Sequence, residues 1–234
     1  GHDSTANTLC WFVRYMEAHP SIQTELRAAL KTAFFASEDP SVVLPSAAQI
    51  LQADMPYLDG ACEEGVRLAG TAKANLRQAL VDTHILGCPV PKGAEIFMNY
   101  HINRSLPPAT AVPVVDEAKR SKTSRAAGEK RGDALSRGVA GRDLGSFQPR
   151  RWIVVDEMAG KESFNAYSLP SLAFGGGYRG CFGRKLAMME FKIVVVLLML
   201  SFEFLSLPEE FKSMAATEKI FREPDFPYVK LRGL

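Results

Sequence analysis

The feature that most constrains this chain is a glycine-rich segment that ends in a cysteine just before its most apolar helix. Residues 174–183 read Phe-Gly-Gly-Gly-Tyr-Arg-Gly-Cys-Phe-Gly, and apolar periodicity predicts a helix from Lys185 to about Phe202. Glycines let the backbone approach a large flat ligand closely. Cys181 is a candidate soft ligand for a transition metal, including heme iron, because a helix N-terminus favours the thiolate form. Arg179 can hold an anionic group by charge-assisted hydrogen bonds.

Two other interpretations of this segment stay open. A single cysteine beside a helix is commonly just a small hydrophobic residue. Gly175, Gly177 and Gly180 also match the spacing of a dinucleotide-binding loop, and Glu203 supplies an acidic residue about 20 positions further on. That loop should follow a strand and open its helix directly, whereas Pro170 interrupts the approach here. A nucleotide-binding oxidoreductase domain is therefore the alternative.

Composition excludes several classes of partner and site. The chain has 234 residues, with 28 Lys+Arg and 26 Asp+Glu, and a net charge this near zero gives no reason to expect a nucleic acid partner. Four irregularly spaced cysteines match no zinc pattern and favour a reduced, intracellular environment. The longest apolar run, residues 193–200, is far shorter than the ~20 residues that a spanning helix needs, so no membrane span is expected in this chain.

Hydrophobic periodicity predicts a mainly helical protein with a minor β component. Helices are expected from the start of the chain to Pro20, from Pro20 through Leu30, and from Pro56 to about Leu68. Short β segments are expected near 76–81 and 95–100, with a turn at 87–89 between them.

Residues 116–143 interrupt this pattern. They contain eight Lys or Arg and five Asp or Glu, no aromatic residue and few aliphatic ones. Such a segment cannot bury enough apolar surface to offset the entropy of ordering it. We predict a disordered surface insertion here, with a basic docking arm as the alternative.

The segment at 174–183 resembles the heme-binding signature of the cytochrome P450 family, Phe-x-x-Gly-x-Arg-x-Cys-x-Gly, with every fixed position matched. Glu64-x-x-Arg67 resembles the family's K-helix motif, and it precedes the signature as the family order requires. The order of these motifs along the chain makes the resemblance far more specific than either motif alone.

Two further motifs resemble the same family. Residues 147–152 resemble its meander motif, with Arg150 where glutamate is usual. Residues 1–5, Gly-His-Asp-Ser-Thr, resemble the oxygen-activation segment of helix I, with Ser4 where threonine is usual. The resemblance implies a P450-type fold, mainly α with minor β. It further implies that residues 1–234 form the C-terminal, heme-binding portion of the domain, from within helix I onward.

The resemblance also implies roles for individual residues. The cofactor would be heme b (iron protoporphyrin IX), with Cys181 as axial ligand to the iron. The other heme-binding residues would be Phe174, Gly177, Arg179, Gly183 and Arg77, the last of them at a propionate. A buried charge network would join Glu64, Arg67 and Arg151, and Asp3 with Ser4 or Thr5 would relay protons.

The implied function is that of a heme-thiolate monooxygenase. Such an enzyme inserts one oxygen atom of O₂ into an apolar organic substrate, using electrons from a redox partner, here an NADPH-dependent flavoprotein reductase. An inactive, truncated copy of such an enzyme is a further alternative. An intracellular location is expected, at the endoplasmic-reticulum membrane if an anchor lies upstream of the sequence.

Overall fold

Helices dominate the chain in its computed structural model, which describes residues 2–35, 44–85, 87–99, 122, 125, 144–169 and 171–234. The five helices of this part are α1 (His2–Ala18), α2 (Pro20–Phe34), α3 (Ala47–Gln52), α4 (Pro56–Ala69) and α5 (Arg184–Ser201). The predicted insertion at 116–143 lies outside the described residues, apart from positions 122 and 125. None of the helices described is long and apolar enough to cross a membrane.

Short strands supply the minor β component. They are β1 (Ala74–Gln78), β2 (Thr83–Ile85), β3 (Cys88–Val90), β4 (Glu95–Asn99), β5 (Ile153–Val155), β6 (Glu162–Phe164), β7 (Phe202–Leu205), β8 (Ala216–Glu218), β9 (Arg222–Pro224) and β10 (Lys230–Gly233). Across the described residues they form two-stranded antiparallel sheets, β1–β4, β2–β3, β5–β6, β7–β10 and β8–β9.

Local sequence signals account for the helix ends. Pro20 and Pro56 stand in the first turns of α2 and α4, where a missing N–H costs nothing. α4 stops at Gly70, whose φ of 54° is left-handed. Ser46 and Gln49 form a capping box for α3, a helix that the periodicity did not predict.

The core lies where α1, α2, α4 and α5 pack together. Phe12 of α1 meets Phe191 of α5 edge to face, with ring centroids 5.4 Å apart. Gly65 of α4 makes this contact possible, because a Cβ there would lie 2.8 Å from Phe12 Cδ2. The close packing brings the N-terminal turns of α1 and α5 and the C-terminal end of α4 to one cavity.

The mainly α architecture with minor β matches the sequence-based expectation. The predicted turn is confirmed at Gly87, but Cys88 and Pro89 belong to β3, where they pair with Ile85 and His84. The hairpin turns at Gly87, whose φ of 85° is left-handed.

Candidate functional site

A cavity of about 390 Å³ lies between the start of α1, the end of α4, the glycine-rich loop and the start of α5. This volume is within the usual range of ligand pockets. Its wall includes Ser4, Thr5 and Thr8 from α1, and Phe174, Arg179 and Cys181 from the loop. Two segments that are far apart in sequence therefore face one space.

Backbone hydrogen bonds shape the glycine-rich loop. The Cys181 N–H donates to the carbonyl of Phe174 at 2.8 Å, which closes the loop and brings these two residues together. Gly175 and Gly177 have φ of 67° and 62°, in the left-handed region that favours glycine. The guanidinium of Arg184, the first residue of α5, lies 5.5 Å from the Phe174 ring centroid. The loop can thus present a thiol and an aromatic ring to the cavity on a compact backbone.

The two polar side chains of the loop that face the cavity have no protein partner in the described part of the chain. Cys181 is an exposed free thiol. Arg179 makes neither an ion pair nor a side-chain hydrogen bond there, although it is always charged. A soft ligand atom and an unpaired cation are thus available to a bound group.

On α1, the predicted residues separate. Ser4 and Thr5 are half-buried and line the cavity. Asp3 is exposed and lies outside the cavity wall, and its Oδ1 is 2.9 Å from Nε2 of His2. The structure therefore brings the two hydroxyls, but not the carboxylate, to the space that Cys181 faces.

Arg77 also lies outside the cavity wall. This β1 residue donates from Nη1 to Asn75 Oδ1 at 2.7 Å and to the carbonyl of Leu76 at 2.8 Å. Asn75 itself lines the cavity, so Arg77 is one residue removed from it.

The predicted charge network lies behind this site, away from the cavity. Glu64 is fully buried, and its carboxylate accepts two hydrogen bonds of 2.8 Å from Arg67, one on each oxygen. Arg151 Nε lies 3.4 Å from Glu64 Oε1, and its Nη2 donates to Ser146. Since α4 supplies the first two residues and the segment after residue 144 supplies the third, the cluster fastens these parts together.

Sequence reasoning missed further partners of the same carboxylate. Trp152 donates its indole N–H to Glu64 Oε2 at 2.8 Å, and the Gln148 backbone N–H donates to Oε1 at 3.1 Å. Arg67 also donates to the carbonyl of Leu144 at 2.9 Å. The meander resemblance covers residues 147–152 and could have suggested Trp152 as a neighbour.

Sequence reasoning also missed many of the cavity residues, among them Thr8, Thr71 and Phe221. Thr8 is four residues after Ser4 on α1, a helical spacing that puts both on one face. Thr71 and Phe221 come from separate parts of the chain, and no sequence signal connects them with the loop.

The site fits a heme better than a bare metal ion. No group of three or more His, Cys, Asp or Glu side chains suited to a metal occurs among the described residues. A metal at Cys181 would thus need most of its ligands from a prosthetic group, which a porphyrin supplies. The unpaired Arg179 suits an anionic substituent, and the glycines leave room for a flat ring.

The dinucleotide-binding alternative does not fit the fold. That motif needs a parallel βαβ unit whose glycine loop leads straight into the helix. All strand pairs described here are antiparallel, and α5 starts only at Arg184, after Cys181.

Comparison with known proteins identifies the class. The family model described as Cytochrome P450 matches residues 1–104 and 145–230, which leaves the segment between them unmatched. The chain belongs to the cytochrome P450 family. The described parts of the chain thus carry a helix-rich P450-type fold, as the resemblance implies.

Individual relatives agree with this assignment. The cytochrome P450 monooxygenase TRI13 of Fusarium sporotrichioides is 33% identical over 99% of this chain and 40% of its own length. The Hps1-dma1 cluster cytochrome P450 monooxygenase cyp3.1 of Dothistroma septosporum is 31% identical over 99% of this chain and 74% of its own length. A crystal structure of the cytochrome P450 CYP102L1 has a TM-score of 0.66 at 22% identity, covering 100% of this chain and 43% of that one.

Most of these relatives are much longer than the chain. Besides the 40% for TRI13, the chain spans 38% of the cytochrome P450 monooxygenase xilC of Penicillium crustosum, at 32% identity.

Proposed function

We propose that residues 1–234 are the heme-binding part of a heme-thiolate monooxygenase, in which the Cys181 thiolate would hold the iron of a heme b. The observation that carries this proposal is the shared cavity, to which the loop contributes Cys181 and Arg179 and α1 contributes Ser4 and Thr5. When bound, the heme would supply the iron chemistry that splits O₂ and transfers one oxygen atom to an organic substrate.

The loop residues bind and orient the cofactor in this proposal. The Cys181 thiolate would hold the iron, because a thiolate is a soft ligand that suits a transition metal. Arg179 pairs with a propionate, since it is a cation in the cavity wall with no protein partner in the described region. Phe174, Gly177 and Gly183 let the ring approach the loop closely.

Arg77 is proposed as a second propionate partner. Its bonds to Asn75 and Leu76 hold it one residue from the cavity, so it would exchange these bonds for the propionate when heme binds. Its contribution to heme affinity is therefore smaller than that of Arg179.

Proton delivery is assigned to α1. Ser4 and Thr5 have hydroxyls in the cavity wall, whereas Asp3 is exposed to solvent one residue before them. Asp3 would exchange protons with water, and the Ser4 or Thr5 hydroxyl would pass them into the cavity. Glu64, Arg67 and Arg151 take no part in the chemistry and hold α4 against the segment that leads to the loop.

The substrate is proposed to be an apolar organic molecule. Val66, Ala187, Phe191 and Phe221 give the cavity apolar walls in addition to the loop. Electrons would come from a separate NADPH-dependent flavoprotein reductase, as the family resemblance implies.

The ligand assignment is tested by spectra of the reduced, CO-bound holoprotein expressed from its complete gene. Cys181→Ala should lose the red-shifted Soret band typical of a thiolate ligand. Cys88→Ala is the matched control, because both thiols are exposed and free, and it should keep the band. A thiolate spectrum that persists in Cys181→Ala would overturn the proposal.

A second candidate is a chain that binds heme without completing the reaction. The 38–40% share of the longer relatives favours this alternative for the 234 residues by themselves. Heme titration of the 234-residue chain, followed by turnover with a reductase, separates the two. Stoichiometric heme uptake with no oxygenated product would support the second candidate.

A further inference from the structure

The hydroxyls of Thr8 and Thr71 lie next to each other in the cavity wall, and the proposed function gives neither of them a role. Thr8 Oγ1 of α1 lies 3.0 Å from Thr71 Oγ1, which follows the end of α4. Both residues line the cavity, and Thr71 is only 8% exposed. The pair is a polar spot in a wall that also contains Val66, Phe191 and Phe221.

The direction of the hydrogen bonds follows from the third partner. Thr8 Oγ1 is 2.8 Å from the carbonyl oxygen of Ser4, which can only accept, so the single proton of Thr8 is donated there. The Thr71 proton must then be donated to Thr8 Oγ1. In the described part of the chain Thr71 Oγ1 has no further partner, and it keeps free lone pairs but no free proton.

The Thr71 oxygen is also held in a fixed position. The Thr71 carbonyl accepts from the Arg222 N–H at 3.0 Å, which ties this residue to β9. Gly70, just before it, has a left-handed φ of 54° that turns the chain out of α4. Thr71 thus offers a buried, rigid acceptor at a cavity wall.

We propose that Thr71, oriented by Thr8, binds a hydrogen-bond donor on the substrate, a hydroxyl or an N–H group on an otherwise apolar molecule. The inference rests on the proposed function, because that function places a substrate beside the heme in this cavity. Because Thr71 Oγ1 can only accept, the site disfavours an analogue without an O–H or N–H, which would leave the Thr71 oxygen without a hydrogen-bond donor. An ether of the same shape is therefore a poor ligand.

The test uses the heme-loaded protein from the complete gene and equilibrium dialysis of matched probes. The probes are cyclohexanol and adamantanol, each compared with its own methyl ether. We expect the alcohol to bind about tenfold more tightly than the ether, as for one unpaired polar group. Thr71→Val should remove this preference by weakening alcohol binding alone, and Thr71→Ser should restore it.

Thr8→Val gives an independent reading of the hydrogen-bond direction. It removes the acceptor of the Thr71 proton, so Thr71 can donate, and the ether should then gain affinity relative to the alcohol. Thr24→Val is the matched control, because Thr24 Oγ1 on α2 donates to the Pro20 carbonyl at 2.9 Å in the same i to i−4 manner. This control should keep the preference of the unaltered protein.

Heme content and the thiolate spectrum are measured on the same samples. A protein with no heme or no thiolate band fails the proposed function. A heme-loaded protein that shows no alcohol preference in either pair, or in which Thr71→Val keeps that preference, overturns this inference alone.

Discussion

Glu64 accepts four hydrogen bonds and is fully buried, whereas Cys181 and Arg179 are exposed to a cavity and bond through their side chains to no described residue. The two regions are joined, since α4 carries Glu64 and also supplies part of the cavity wall. A carboxylate surrounded by donors contributes to folding, because breaking the cluster leaves a buried charge unpaired. A side chain without a protein partner contributes little to folding and is available to a ligand.

The largest expected effect comes from breaking the buried cluster. Glu64→Ala removes the carboxylate that Arg67, Arg151 and Trp152 contact, so these three side chains lose their shared partner. Loss of one partner of a buried pair costs about 3–5 kcal/mol of the free energy of unfolding. Urea unfolding followed by circular dichroism measures this change.

Glu209→Ala is the matched control for Glu64→Ala. Glu209 also pairs with a cation three residues away, Lys212, at 2.9 Å, but its side chain is 88% exposed. Its loss should cost less than about 1 kcal/mol. Equal losses in the two variants would contradict the distinction between a buried cluster and a surface pair.

A smaller loss is expected from Gly60→Ala. A Cβ on Gly60 of α4 would lie 2.8 Å from the carbonyl oxygen of Pro149, in the backbone that carries the Glu64 donors. Overpacking of this kind costs about 1–3 kcal/mol. In the cavity loop, Gly176→Ala should be nearly neutral, since its Cβ would meet only Leu172 Cδ2 at 3.6 Å. Thermal denaturation of both variants measures the difference.

Glu63 allows a sharper test within α4, because it is buried beside Glu64 but makes no hydrogen bond or ion pair with a described residue. Burial raises the pKa of Glu63, and the carboxylates of Glu64 and Asp59 raise it further, while Arg184 lowers it. The folded chain therefore binds a proton more tightly than the unfolded chain. Stability is lost as the pH rises through the folded pKa.

Glu63→Gln should consequently be more stable than the unaltered protein at neutral pH. The gain in the free energy of unfolding should be smaller than the loss expected for Gly60→Ala. The gain should disappear below the ordinary glutamate pKa of 4.5, because Glu63 is then protonated in both the folded and the unfolded chain. Urea unfolding at several pH values measures this dependence. A gain that is independent of pH would show that the ionised form of Glu63 is not the cause.

The smallest stability effect is expected at the cavity. Cys181→Ala should change the free energy of unfolding of the heme-free protein by no more than about 0.5 kcal/mol, because the thiol is exposed and not packed. Thermal denaturation without heme measures this value. A loss comparable to that of Glu64→Ala would mean that the thiol is part of the folding core.

Local sequence patterns predict several helices of this protein and its family. The i, i+3, i+4 spacing of apolar residues and the prolines at 20 and 56 predict α1, α2 and α4 closely, because a helix repeats every 3.6 residues and proline suits its first turn. The Phe174–Gly183 pattern and the Glu64–Arg67 spacing indicate the family, which the match to the family model bears out. These signals lie within a few residues of one another, where chain geometry fixes the neighbours.

Tertiary structure decided which side chains meet across long separations. Thr8 and Thr71 are 63 residues apart, and Trp152 and Glu64 are 88 apart, so only tertiary packing brings each pair together. Packing also decides which face of α1 lines the cavity. Successive helical residues are rotated by about 100° about the axis, and the packing of α1 puts Ser4, Thr5 and Thr8 in the cavity wall while Asp3 faces solvent. The sequence predicts candidate site residues, and tertiary packing decides which of them line the same cavity.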